Sequence, residues 1–69
     1  MILVHNYAHG DLYGFPDLAA YESFARATEG KNRTCWEDEV YEVGAGGHAT
    51  SENQLDLHSL KCRIARALG

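Results

Sequence analysis

Sixty-nine residues form one domain and leave no room for a second core. Hydrophobic residues at 45% and charged residues at 23% sit near average globular usage, which excludes intrinsic disorder. Ten acidic against six basic side chains give a net charge of −4, a balance that opposes direct binding to the nucleic-acid backbone and to anionic membranes.

The opening MILVHNYAHGDLYGF starts apolar and β-branched, breaks at the turn-like AHGD and resumes as DLYGF. This predicts a β-hairpin over residues 1–15, with Gly10 supplying a positive φ. Its apolar run stops at Val4 with no basic segment before it, so it reads as neither a signal peptide nor a membrane span, and a cytoplasmic location is expected. PDLAAYESFARATEG then predicts a helix. Pro16 suits a first turn, Asp17 can cap it, Leu18, Tyr21, Ala25 and Thr28 line one face, and Gly30 marks the end.

TCWEDEVYEVG carries opposed signals, because Trp, Tyr, Val and Thr favour strand while its punctuation favours helix. As a strand neither face is cleanly apolar. As a helix, Trp36, Val40 and Val43 fall at i, i+4 and i+7, Thr34 and Glu37 form a capping box, and Gly44 follows as the terminating residue. The expectation is a helix over 35–43 that presents Glu37, Asp38 and Glu42 outward. The last segment, TSENQLDLHSLKCRIARALG, has the strongest helical pattern. Ser51 and Gln54 form a second capping box, and Leu57, Leu60, Ile64 and Leu68 make an apolar stripe. Leu55, His58 and Cys62 fall on a flank well round from that stripe, and Lys61, Arg63 and Arg66 suit a helix C-terminus. The expected fold is α+β, an N-terminal hairpin packed on three short helices. If residues 34–43 are a strand, the order becomes ββαβα.

Three stretches invite chemistry. GAGGHATSENQL, at 44–55, precedes a predicted helix N-terminus and so could offer unpaired N–H groups to an anion or small ligand at residues 44–51. A Walker loop needs a Lys that is missing between Lys31 and Lys61. The dinucleotide fingerprint has Gly44 and Gly46 with a tolerated Ala49 in its last position, but a chain of 69 residues with no parallel sheet cannot supply the βαβ unit it needs. The plainer reading is a hinge, with Gly46 and Gly47 letting the chain turn before Ser51. His48 and Ser51 lack an assignable orienting carboxylate or oxyanion donor, so no catalytic set is assigned and a non-enzymatic protein is expected. His58 and Cys62, at i and i+4, can both reach one ion, with Cys35, His5, His9 or His48 to complete a zinc site. No convincing second ligand pair exists beyond His5 and His9 on the predicted hairpin, and no cofactor is expected. Without a C-x-x-C pair, Cys35 and Cys62 are expected to be free thiols.

The third stretch is the acidic run Glu37, Asp38, Glu39 and Glu42, interleaved with Trp36 and Tyr41. Carboxylates beside aromatics make a patch that steers toward a basic surface and anchors there. Such a patch can occupy a site that normally holds nucleic acid. In size and acidity the chain is similar to the small inhibitors that phages encode against host defence systems, and that similarity implies an inhibitory role. The function expected is a protein-binding module that occupies a basic surface of a larger protein through Trp36, Glu37, Asp38, Glu39, Tyr41 and Glu42. A small zinc-binding structural domain using His58 and Cys62, and an anion binder at 44–51, are the alternatives. Small size also makes a second copy of the chain a candidate partner.

Overall fold

The computed structural model describes residues 1–66. In chain order these form β1 (Ile2–Asn6), β2 (Asp11–Phe15), α1 (Leu18–Thr28), a 3-10 turn (Cys35–Glu37), β3 (Asp38–Glu42), a second 3-10 turn (Ser51–Asn53) and α2 (His58–Arg66). The fold is α+β, as expected, with two α-helices and a three-stranded sheet in the order β2-β1-β3, antiparallel throughout. The β-branched start of the chain becomes the central strand. Ile2, Val4 and Asn6 point into the core while Leu3 and His5 take the other face. Gly10 turns the hairpin at φ +72°, donating its N–H to the Asn6 carbonyl at 2.8 Å.

Residues 35–43 are not a helix. Cys35–Glu37 make one 3-10 turn, and from Asp38 the chain runs extended beside β1, with Val4 opposite Val40 and Asn6 opposite Asp38. Thr34 precedes the turn without a side-chain cap bond to the backbone, so the capping box does not form. The tertiary reason is the free edge of β1. A lone hairpin is marginal in water, and a third strand pairs backbone groups that a helix would have left unpaired. Extension also places Val40 against Val4, where both are almost wholly buried.

α1 follows expectation closely. Asp17 accepts the Ala20 N–H at 2.8 Å, Tyr21 and Ala25 are buried, and Gly30 takes φ +78° just past the end. The chain thus passes from β2 through α1 to β3, stepping over the central strand. α2 starts at His58 rather than near Ser51. Gln54 bridges to Tyr41, and the Leu55 N–H donates to the Val40 carbonyl at 2.8 Å, so this stretch pairs with the outer edge of β3 instead of winding into helix. Asp56 then accepts the His58 N–H at 3.3 Å. Leu60 and Ile64 are buried from α2, and Leu68, which completes the predicted stripe, lies outside the described residues.

Both helices bury their apolar stripes on one face of the sheet. Ile2, Val4, Tyr21, Ala25, Cys35, Val40, Leu60 and Ile64 form the core, and Leu55 and Leu57 pack against it. Tyr13, Phe15 and Phe24 stack at its β2 end, with ring centroids 5.0 to 6.4 Å apart. The opposite face presents Leu3 and His5 of β1, Leu12 and Gly14 of β2, and Glu39 and Tyr41 of β3, and among the described residues no helix covers it.

Candidate functional site

The acidic run does not form one patch. Asp38, expected on the surface, is 2% exposed and sits at the centre of a polar network inside the core. Its carboxylate accepts from Asn6 Nδ2 at 3.0 Å and from the Tyr21 hydroxyl at 2.9 Å, and both of its oxygens accept from Arg33 Nη2. Register forces this placement, because Asp38 shares the core face of the sheet with Asn6, its partner across the ladder. A buried carboxylate needs a counter-charge and saturated lone pairs, and Arg33 with Asn6 and Tyr21 supplies both. Arg33 is itself largely buried, donating to Thr28 Oγ1 at 2.6 Å and lying 4.9 Å over the Phe24 ring. Burial first, and the Asp38 carboxylate second, push the Tyr21 hydroxyl far above its usual range. The half-buried Lys61 also turns inward, its Nζ donating to the Asp38 carbonyl at 2.7 Å.

Glu39 and Tyr41 remain together, on the uncovered face of the sheet. Glu39 lies 3.2 Å from His5 Nδ1 and accepts from the Tyr41 hydroxyl at 3.4 Å. Partial desolvation and then Glu39 raise the Tyr41 hydroxyl. Leu3 and Leu12 flank this polar centre, and Leu12 is 69% exposed. Glu42 is exposed but belongs to the other face, opposite Ile2 at the end of β3. Glu37, half-buried in the 3-10 turn, gives its carbonyl to the Tyr7 N–H at 3.0 Å. Trp36 stands apart, 43% exposed, where it walls an open cleft of about 500 Å³ with Gln54, Leu57, His58 and Lys61. The structure therefore unites Glu39 and Tyr41 with Leu3, His5 and Leu12, separates Trp36, Glu37 and Glu42 from them, and removes Asp38 to the core. The added residues had a signal in the alternation of ILVHN, which sets Leu3 and His5 opposite Ile2 and Val4.

At the Gly-rich loop, the Gly47 N–H donates to the Gly44 carbonyl at 2.9 Å and Gly46 takes φ +72°, so the chain turns here as expected, although Gly44 follows a strand and does not terminate a helix. The loop leads into a single 3-10 turn rather than an α-helix, so the dipole on which the anion reading rested is missing at this point. His58 Nε2 and Cys62 Sγ do meet, at 3.6 Å. Among the described residues no group of three His, Cys, Asp or Glu side chains converges on one point. Both cysteines are free. Cys35 is wholly buried, and burial, with the Glu29 carboxylate adding, pushes its thiol up to about 12. No described helix is long and apolar enough to cross a membrane. Compared with protein-family models, with curated proteins and with solved structures, the chain matches none of them.

Proposed function

We propose that this chain is a non-enzymatic binding module that docks on a basic surface of a larger protein through the uncovered face of its sheet. The observation that carries the reading is that face itself. It offers apolar Leu3, Leu12 and Tyr41 around the His5–Glu39 pair, on a domain whose other sheet face is filled by helices. A small exposed apolar surface with a polar, acidic centre has the make-up of an interface that excludes water at its middle and steers by charge at its edge. The acidic balance of the exterior supports a basic partner. Arg33 and Asp38 cancel inside the core and Arg26 pairs with Glu22 at 2.9 Å, so the acidic excess of the sequence stays with the remaining side chains, while Lys61 turns inward to a carbonyl. Occupying a surface that otherwise holds nucleic acid, as phage-encoded inhibitors of host defence do, is the biological role this reading favours.

The test uses immobilised wild-type chain, Leu12→Lys and Glu39→Lys in lysate of the cells where the protein acts. Circular dichroism first checks that all three fold alike. A partner held by the wild type at low salt, released at high salt and lost from both variants supports the docking face. Against the purified partner, Glu39→Lys mainly slows association, and Tyr41→Ala weakens binding by about 2 kcal/mol or more, as for a central aromatic anchor. A partner that binds both lysine variants at the wild-type rate at low salt refutes the proposal.

A further inference from the structure

The uncovered sheet face makes no use of α2, whose solvent side carries His58 and Cys62 one helical turn apart. The geometry points to half of a zinc site there, completed by the same two residues of a second copy. We infer that two chains meet along α2 in an antiparallel, two-fold arrangement around one zinc ion held by two His58 and two Cys62 side chains.

The first support is a distance. With Zn–S of about 2.3 Å and Zn–N of about 2.0 Å, tetrahedral geometry sets the separation of a sulfur and a nitrogen ligand at about 3.5 Å. His58 Nε2 and Cys62 Sγ stand 3.6 Å apart. The pair is thus spaced as one edge of the coordination tetrahedron. The second support is ligand count. Structural zinc takes four protein ligands, and no third donor converges on this pair among the described residues. Cys35 is sealed in the core, so it is not the missing sulfur. A two-fold axis through the ion doubles the pair to Cys2His2 without calling on any other residue.

The third support is charge. Asp56 lies just before α2 and Glu52 a few residues earlier, while Arg63 and Arg66 occupy its last turn. Antiparallel packing brings each copy's basic end toward the other's acidic lead-in, and the two helix dipoles oppose favourably. Lys61, the one cation within the same turn as the ligand pair, is drawn away from this surface to the Asp38 carbonyl. Each Cys62 thiol loses its proton to solvent on binding and each His58 coordinates as neutral imidazole. Zn²⁺ with two thiolates is then a neutral centre, and two protons are released per ion. Trp36, with its ring centroid 5.7 Å from that of His58, reports on the site by its fluorescence.

The experiment is native mass spectrometry and light scattering of the reduced full chain titrated with zinc sulfate. The expected result is a doubled mass with one zinc per two chains, reversal by chelator, and a change in Trp36 emission that saturates at the same ratio. His58→Ala and Cys62→Ser each weaken zinc binding at least tenfold and stay monomeric, while His48→Ala behaves as wild type. Circular dichroism checks that these surface variants are folded. One zinc per chain, no zinc bound at micromolar concentration, a dimer that forms equally without zinc, or a zinc dimer that survives both variants would each overturn the inference.

Discussion

Asp38→Ala separates a core carboxylate from a surface one more sharply than any other single change. Were Asp38 part of an exposed acidic face, its removal would alter stability by only about 0.5 kcal/mol in either direction. In the structure its carboxylate is the shared acceptor of Asn6, Tyr21 and Arg33. The variant leaves an Arg33 side chain that is only 8% exposed with no counter-ion, and breaking a buried pair in this way costs about 3–5 kcal/mol. A chain of this length has a total stability of about 3–10 kcal/mol, so Asp38→Ala is expected to lose from about a third to all of it. Urea denaturation followed by circular dichroism measures the loss. A companion pair of variants isolates the charge. Asp38→Asn keeps a carbonyl acceptor for Asn6 and turns the second oxygen into an NH2 that the Tyr21 hydroxyl can accept from, but it orphans Arg33, and adding Arg33→Met removes the orphan. The double variant should therefore be more stable than Asp38→Asn alone, because the cost lies in the unpaired buried cation. An Asp38→Ala loss below about 1 kcal/mol, or a double variant worse than the Asp38→Asn single by the full cost of a second lesion, would refute the placement of this ion pair at the heart of the fold.

Two further outcomes follow from the buried hydroxyl and thiol. Cys35 ionises at about 12 in the folded chain against 9.0 unfolded, and Tyr21 is raised in the same direction. The folded state thus holds protons that the unfolded state has released. Their contribution is complete below pH 9 and falls as pH rises from there toward 12, by up to about 1.4 kcal/mol per pH unit for each group. Melting temperatures measured from pH 8 to 11 should drop progressively, and Tyr21→Phe should flatten the part of the slope that lies above pH 10; a stability that is level across this range would contradict the burial of both groups. With a thiol reagent at neutral pH, one cysteine per chain should react fast and be lost in Cys62→Ser, while Cys35 reacts only at the rate of unfolding. Two equally fast thiols would mean that the core around Cys35 is open.

Some of this architecture was legible residue by residue. The hairpin was announced by β-branched alternation and a glycine that must turn at positive φ, and α1 by Asp17, Gly30 and the spacing of Tyr21 and Ala25. In both, local backbone preference and the eventual burial agree. Elsewhere the local signals were real but outvoted. Thr34 with Glu37 and Ser51 with Gln54 both spell a helix start, and neither starts an α-helix, because the edges of β1 and β3 demand hydrogen-bond partners from those neighbourhoods. A cap contributes about 1 kcal/mol, less than a full ladder of backbone bonds with Val4 and Val40 packed beneath it.

The candidate surface followed the same division. A net charge of −4, a carboxylate-rich middle and a His–Cys pair one helical turn apart are properties of the sequence alone. Which carboxylates meet solvent was decided only when β3 took its register on β1. Side chains alternate at every residue of a strand, so one pairing placed Glu39 and Tyr41 on the open face and carried Asp38 through to Arg33 on the other. Composition sets how much charge a chain carries, but the sheet decides which of it is spent inside, since only long-range packing brings Asn6 of β1 and Tyr21 of α1 to the buried carboxylate that Arg33, five residues before it in the chain, neutralises.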